Sequence, residues 1–204
     1  MSKRLNAILL IGLSLSMPTA GFAATATSGP FQISAAVNGG LELTTVLRKN
    51  DFSGSIVTSM DFGNLVDIGT GTLRSSTTGS TGTGAVDVFI SANSHGIPYT
   101  ITQTGTALSN GSATLPSGAC TVVPVYAPAD NGGAPLPAGA TVGTKGTWVG
   151  TRTLYTSESG VAALRLIQAF YSVTDDPAAG ATTGVPTNQS GGAYTGTVTF
   201  TVTA

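Results

Sequence analysis

The chain has 204 residues, of which 41% are hydrophobic, 6% aromatic and 8% charged, and its formal net charge is −1. Soluble domains carry about 25% charged residues, so this composition excludes a coiled coil and a charge-rich disordered tail, and the near-zero charge gives no basis for nucleic-acid binding. Glycine takes 28 positions, threonine is more frequent still, and there are one histidine and one cysteine. So few chemically active side chains argue against an enzyme, and we expect no catalytic residue, no cofactor and no metal site.

Residues 1–23 have the pattern of a secretory signal peptide. Lys3 and Arg4 give a short basic start, an apolar run follows over residues 7–16, and small residues precede a cleavage position after Ala23. The apolar run is shorter than the roughly 20 residues that a membrane-spanning helix needs. We therefore expect the chain to be exported.

Residues 31–37 form the first alternating segment of the mature chain. Its apolar positions are Phe31, Ile33, Ala35 and Val37. Strict alternation of this kind predicts a β-strand with one buried face. Asn-Gly-Gly at 38–40 interrupts the pattern, and Leu41 and Leu43 resume it.

Short strands separated by turns are predicted along the middle of the chain. The predicted strands cover residues 85–91, 99–103 and 122–126, and the predicted turns or loops cover 61–65, 127–146 and 175–192. The stretch 69–84 is either a loop or a frayed edge hairpin, and Asn-Gly at 110–111 predicts a hairpin turn. Pro124 restricts the third of these strands to an edge or a bulge. Cys120 lies at the start of that strand and is expected to be a buried, inert thiol rather than a reactive or intermolecular one.

Residues 163–173 are ambiguous between a helix and a strand. The helical pattern uses Val161, Leu164, Ile167 and Tyr171. The strand pattern uses Leu164, Leu166, Gln168 and Phe170. We predict a strand, because the neighbouring segments are β and a glycine lies at the start of this one.

Residues 194–204 give the clearest period-two pattern of the chain. The apolar face consists of Tyr194, Val198, Phe200, Val202 and Ala204. The opposite face is threonine at every odd position from 195 to 203. This predicts a strand that is buried on one side and continues to the last residue, and the many short strands together predict a single-domain all-β sandwich.

Few side chains suggest chemistry. His95 lies in a turn composition and is expected to be solvated, and Asp175 and Asp176 precede a proline as turn formers do. Trp148, together with Tyr155 and Tyr171, either belongs to the core or faces a sugar, and the core is favoured.

Two arrangements are open for residues 31–37. If the segment pairs within its own domain, the protein is a stable monomer. If it does not, its apolar side chains are exposed and the sandwich lacks a strand, which invites strand addition between copies. Head-to-tail insertion does not close on itself, so the second arrangement builds a filament.

Both ends of the chain carry motifs of a known family. The last strand reads Gly-Ala-Tyr-Thr-Gly-Thr-Val-Thr-Phe-Thr-Val over 192–202, and the leading segment reads Phe-Gln-Ile-Ser-Ala-Ala-Val over 31–37. Following a signal peptide, these motifs resemble the exported pilins of the chaperone–usher pathway of Gram-negative bacteria. The leading segment is most similar to the class 5, or alternate, fimbrial major subunits, whose lack of an internal disulfide agrees with the single cysteine. The chain departs from many pilins in ending with Ala204 rather than an aromatic residue.

The resemblance implies a structural subunit of a surface pilus (fimbrium) that polymerises by donor-strand exchange and serves adhesion or biofilm formation. A donor-strand extension at 24–38 would precede an incomplete immunoglobulin-like β-sandwich at 39–204, completed by a strand from another copy. The implied donor residues are Phe31, Ile33, Ala35 and Val37. The implied acceptor-side residues of the C-terminal strand are Tyr194, Val198, Phe200 and Val202.

The implied partners are identical subunits, a periplasmic chaperone, an outer-membrane usher, and a host or abiotic surface. The subunit would pass through the periplasm to the cell surface. The main competing hypothesis is a secreted β-sandwich carbohydrate-binding module with aromatic residues on its surface. A secreted hydrolase is the third, and the single histidine and the lack of paired acids argue against it.

Overall fold

A computed structural model gives the conformation of most of the chain beyond the predicted signal peptide. It describes residues 25–28, 34–37, 41–49, 54–67, 69–76, 86–160 and 162–204. The strands are β1 Thr25–Ser28, β2 Ser34–Val37, β3 Leu41–Lys49, β4 Ile56–Val57, β5 Leu65–Asp67, β6 Thr72–Ser75, β7 Val86–Asn93, β8 Thr100–Gly105, β9 Cys120–Tyr126, β10 Thr141–Val142, β11 Gly146–Thr147, β12 Gly150–Thr156, β13 Arg165–Val173, β14 Val185–Pro186 and β15 Val198–Thr203. The helical turns within these ranges are short 3-10 segments at Ser117–Ala119, Pro128–Asn131 and Pro177–Ala179.

The strands form antiparallel sheets that pack as a sandwich. Sheet A has the order β1-β15-β8-β12-β10, and sheet B has the order β11-β9-β13-β7-β3-β2, with β4 also pairing with β3. A small sheet C consists of β14, β6 and β5. The predicted all-β sandwich of the immunoglobulin-like kind is therefore confirmed.

Alternation of apolar residues builds the core between sheets A and B. Along β7, Val86, Val88, Ile90 and Ala92 are buried on one face. Trp148 lies in the middle of this core, stacked on Phe62 with ring centroids 6.2 Å apart. Tyr155, Tyr171 and Trp148 are all buried. The prediction of a core tryptophan is thus confirmed, and the surface aromatic cluster that suggested sugar binding does not exist.

The ambiguous segment at 163–173 is a strand, as favoured, but the predicted set of inward residues is wrong. The fully buried inward positions of β13 are Ile167, Ala169, Tyr171 and Val173. Leu164, one of the predicted set, precedes the strand and is 55% exposed. Both alternating sets contain large apolar residues, so periodicity alone does not decide which set faces the core.

The other predicted strands keep their places with small shifts at their ends, whereas β12 was not predicted and the short strands β10 and β14 lie within predicted loops. Pro124 lies in β9, whose outer side pairs with β11 only at Thr121 and Val122, so the proline occupies an edge as predicted. The turn predicted at Asn110-Gly111 is a tight hairpin, in which Leu115 donates its backbone N–H to Leu108. The segment predicted at 69–84 as a loop or frayed edge hairpin contains the strand β6, which pairs with β5 and β14, and its residues 77–84 lie outside the described ranges.

Threonine covers the outer face of sheet A. Three in-register rows cross β15, β8 and β12: Thr199, Thr104 and Thr151; Thr201, Thr102 and Thr153; Thr203, Thr100 and Thr156. None of these side chains is buried. A β-branched side chain with a hydroxyl suits an exposed strand, and this array explains how a chain with 8% charged residues covers a broad sheet with polar groups.

A buried polar network links the two sheets. The Gln103 side-chain amide on β8 donates through Nε2 to the backbone carbonyl of Trp148 at 2.7 Å. Its Oε1 accepts a hydrogen bond from the Tyr171 hydroxyl on β13, also at 2.7 Å. Burial raises the pKa of Tyr171 well above its usual value, so the hydroxyl remains a donor at every physiological pH.

Removing the donor of this network is expected to destabilise the fold. In Tyr171→Phe the ring remains, but Gln103 Oε1 is left buried without its hydrogen bond, which costs about 1–3 kcal/mol. Urea unfolding should show this loss of stability. The control is Tyr126→Phe, which removes an exposed hydroxyl bonded to loop carbonyls and should change stability by less than about 0.5 kcal/mol. Equal stability of the two variants would contradict a structural role for the network.

Candidate functional site

The C-terminal strand β15 lies next to the edge of sheet A. On one side it pairs with β8 along its whole length. On the other side it pairs with β1, which runs antiparallel and places Thr25 opposite Thr203 and Ser28 opposite Phe200. Val198 and Thr199 have no partner on that side among the residues that the structure describes. Within the described ranges, the outer edge of the last strand is therefore bordered by four residues of the leading segment.

The inward face of β15 is fully packed. Val198 is 4% exposed, and Phe200 and Val202 are 0% exposed. The Phe200 ring meets Tyr171 edge-on, with centroids 6.3 Å apart and an interplanar angle of 83°. These three predicted acceptor residues thus share one buried face, as the alternation predicted, and their role in binding a strand stays a prediction.

Tyr194 does not belong to this strand, so the predicted start of the strand is wrong. The preceding segment instead pairs with the hairpin at 108–115: Thr195 and Ser109 exchange backbone hydrogen bonds of 2.9 Å. The half-buried Tyr194 side chain donates its hydroxyl proton to the Ser190 carbonyl at 2.6 Å. The ladder of sheet A therefore begins at Val198.

The leading segment borders both sheets on one side of the sandwich. β2 forms an antiparallel pair with β3, placing Ala35 opposite Leu43 and Val37 opposite Leu41. β1, next to β15, also lies close to β2 and β3. In the single chain, the second half of the predicted donor segment therefore pairs with β3 of its own domain, while Phe31 and Ile33 lie outside the described residues.

A groove opens beside the start of β15. It has a volume of about 1080 Å³ and lies between residues 59–65 and 189–198. Its apolar floor includes Leu65, Leu108, Leu115, Trp148 and Val198. The turn at 61–65 was predicted from the sequence, but the groove was not. The only sequence signal for the groove was that three apolar residues, Met60, Phe62 and Leu65, lie in this turn or directly before it.

The residue types that usually carry catalysis are dispersed. His95 is an exposed turn residue with φ of 50°, 3.8 Å from the Glu42 carboxylate. Cys120 is fully buried, and desolvation raises the pKa of its thiol to about 11, so it is an inert thiol as expected. Within the described ranges, no three His, Cys, Asp or Glu side chains come together as metal ligands would.

Comparison with known proteins finds no family model, no curated protein and no solved structure that matches this chain. Across the described part of the chain, every helix is too short or too polar to cross a membrane. The hypothesis of strand exchange concerns the edge of β15 and the strands β1 and β2 of the leading segment.

Proposed function

We propose that the protein is a structural subunit of a surface pilus, which polymerises when the leading segment of one copy takes the place beside β15 of another. The observation that carries the proposal is the border of β15. Among the residues that the structure describes, the partner on its outer edge is the four-residue β1, which belongs to the leading segment rather than to the body of the sandwich. If β1 detaches, β15 becomes an edge strand, and an exposed edge strand is a site for strand addition.

The spacing of the two segments supports the exchange. In an antiparallel pair, Val37, Ala35, Ile33 and Phe31 match Val198, Phe200, Val202 and Ala204 position by position. The resident β1 instead places Ala26 opposite Val202 and Ser28 opposite Phe200. Each large apolar side chain contributes roughly 1.5–3 kcal/mol when buried, so the donor segment adds on the order of 5–8 kcal/mol before the cost of ordering it.

Detaching the donor segment from its own sheet costs little free energy. β2 is an edge strand of four residues that pairs with β3 on one side. Glycine at positions 39 and 40 gives the chain the conformational freedom to turn away from β3. The pairing of β2 with β3 within one chain is therefore compatible with a state that precedes strand exchange.

The proposal includes the partners that export and assembly need. A periplasmic chaperone would cover the edge of β15 until an outer-membrane usher exchanges it for the next subunit, and the fibre would serve adhesion or biofilm formation. The low charge and the threonine face of sheet A suit a densely packed fibre. Genes for a chaperone and an usher beside the gene for this chain would agree with this assignment.

The oligomeric state of the purified mature protein, residues 24–204, tests the proposal. We expect size-exclusion chromatography and electron microscopy to show polymers, which separate on gels into integer multiples of one subunit when samples are not boiled. A monomer at all concentrations, with the amides of residues 34–37 protected from hydrogen exchange and with affinity for a glycan, would instead favour the carbohydrate-binding module. The buried positions of Trp148, Tyr155 and Tyr171 leave that alternative without its aromatic platform.

A further inference from the structure

The sandwich has two opposite ends, each named after the first residue of the strand that begins there. At the Leu41 end, defined by the start of β3, Glu42 pairs with Asn93 and β13 begins at Arg165. At the Val198 end, defined by the start of β15, Val198 pairs with Gly105. The groove between residues 59–65 and 189–198 lies at the Val198 end.

The direction of the exchanged strand decides which ends meet. β1 shows that the outer edge of β15 accepts a strand running antiparallel to it. A donor segment in this direction reaches the start of β15 with its own last residue, Val37. The donor therefore leaves the acceptor copy at the Val198 end, beside the groove.

The short connection then places the next copy at that end. Only residues 38–40 separate Val37 from Leu41, where the body of the donor copy begins. Four consecutive Cα steps span at most about 14 Å. The Leu41 end of the donor copy must therefore lie against the Val198 end of the acceptor copy.

The surfaces brought together are complementary in polarity. At the Leu41 end, Ile97 is 44% exposed and Leu164 is 55% exposed, and they flank a backbone bridge between Gly96 and Ala162. Large apolar side chains exposed at this level are few in the described chain, and two of them lie here. The groove offers them the partly exposed apolar side chains of Met60, Phe62 and Leu65.

Charges do not oppose this contact. Near the Leu41 end, Arg165 lies 2.9 Å from Glu158, and the Glu42 carboxylate accepts a hydrogen bond from Asn93 Nδ2 at 3.3 Å while more than half of its side chain stays exposed. Among the described residues that line the groove, Asp61 is the one with a charge. It lies at the exposed rim, where its carboxylate accepts a hydrogen bond from the Gly63 backbone. Burying this interface would thus leave no unpaired charge in its centre.

We propose that the groove at the Val198 end binds the Leu41 end of the next copy, with Ile97 and Leu164 against its partly exposed apolar side chains. This inference rests on the proposed strand exchange and adds a second contact between copies, which sets the angle between successive subunits in the fibre. Burial of the two side chains would also exclude water from the point where the donor strand enters.

Engineered cysteines test the contact. Ala193→Cys places a thiol on the exposed rim of the groove, Leu164→Cys places one at the Leu41 end, and the native Cys120 is buried and does not interfere. Polymers of the double variant, oxidised and then boiled in SDS without reductant, should give a covalent ladder. The matched pair Ala193→Cys with Thr153→Cys, on the exposed face of sheet A, should give only monomers.

Each outcome decides a separate point. Polymers of the Leu164→Cys, Ala193→Cys variant that boil to monomers would overturn the end-to-end contact and leave strand exchange standing. A parent chain that forms no polymer would overturn the proposed function, and the contact with it. If the double cysteine variant does not assemble, the double variant Ile97→Asp, Leu164→Asp tests the contact instead, with Thr153→Asp as its control. Fibres several-fold shorter than those of the control would support the contact, and fibres of equal length would overturn it.

Discussion

A chain from which residues 24–38 have been deleted is expected to be exported and folded but to form no polymer. The deletion joins the predicted signal peptide directly to Gly39, so we expect export to be kept, and the described core residues of β3 to β15 all remain. What is lost is the segment that would enter the next copy. Periplasmic extracts should contain the chain as a monomer or bound to its chaperone, and electron microscopy of the cell surface should show no fibres. Normal fibres from this variant would contradict the proposed function.

A single substitution separates the donor role from the loss of the whole segment. Ile33→Asp places a charge at a position that would be buried in the neighbouring copy, and burying a carboxylate without a partner costs several kcal/mol. Gln32→Asp adds the same charge at the adjacent position of the opposite face. We expect the first variant to abolish self-assembly and the second to assemble as the parent does.

Mixing the donor variant with the parent chain gives a quantitative test. The Ile33→Asp copy keeps an intact β15, so it can accept a strand but cannot donate one. Each incorporated copy should therefore end growth in one direction, and mean fibre length should fall in proportion to its share of the mixture. Fibre length that does not depend on this share would show that residue 33 does not enter the neighbouring copy.

The sequence predicted the strands that bury one face and expose the other, because alternation is a local property of the chain. Val198, Phe200 and Val202 alternate with threonine, and the structure buries all three. The strand β13 was harder to interpret, since both of its faces carry apolar residues, and only the pairing with β7 and β9 decides which face meets the core. Local pattern thus identifies a strand more readily than it identifies the strand's inward face.

Features that depend on distant pairings could not be predicted. The start of the last strand at Val198 follows from the bonds between Thr195 and Ser109, residues 86 positions apart in the chain. The groove forms because two loops from opposite halves of the sequence meet above Trp148. Likewise, the sequence shows Asp87 only as an acidic residue in an alternating strand. The fold shows that its side chain is buried with Oδ1 lacking a hydrogen-bond partner. Desolvation therefore raises the pKa of Asp87 to about 7.

Phe200→Ala is expected to produce the largest loss of stability among substitutions in β15. The side chain is 0% exposed and meets Tyr171 edge-on, so truncation removes an apolar group from a packed core and leaves a cavity. Such changes cost about 3–5 kcal/mol, which urea unfolding of the purified subunit should show as a lower midpoint with little change in slope.

Thr199→Ala is the matched control, because Thr199 is the adjacent residue on the outer face of the same strand and is only half-buried. Its truncation should cost less than about 1 kcal/mol. Since donor positions would pack against the same inward face, Phe200→Ala should also weaken capture of a synthetic peptide of residues 24–40, whereas Thr199→Ala should leave peptide capture unchanged. If both variants captured the peptide as the parent does, the bound strand would have to contact β15 through its backbone alone, and the inward side chains would have no part in recognition.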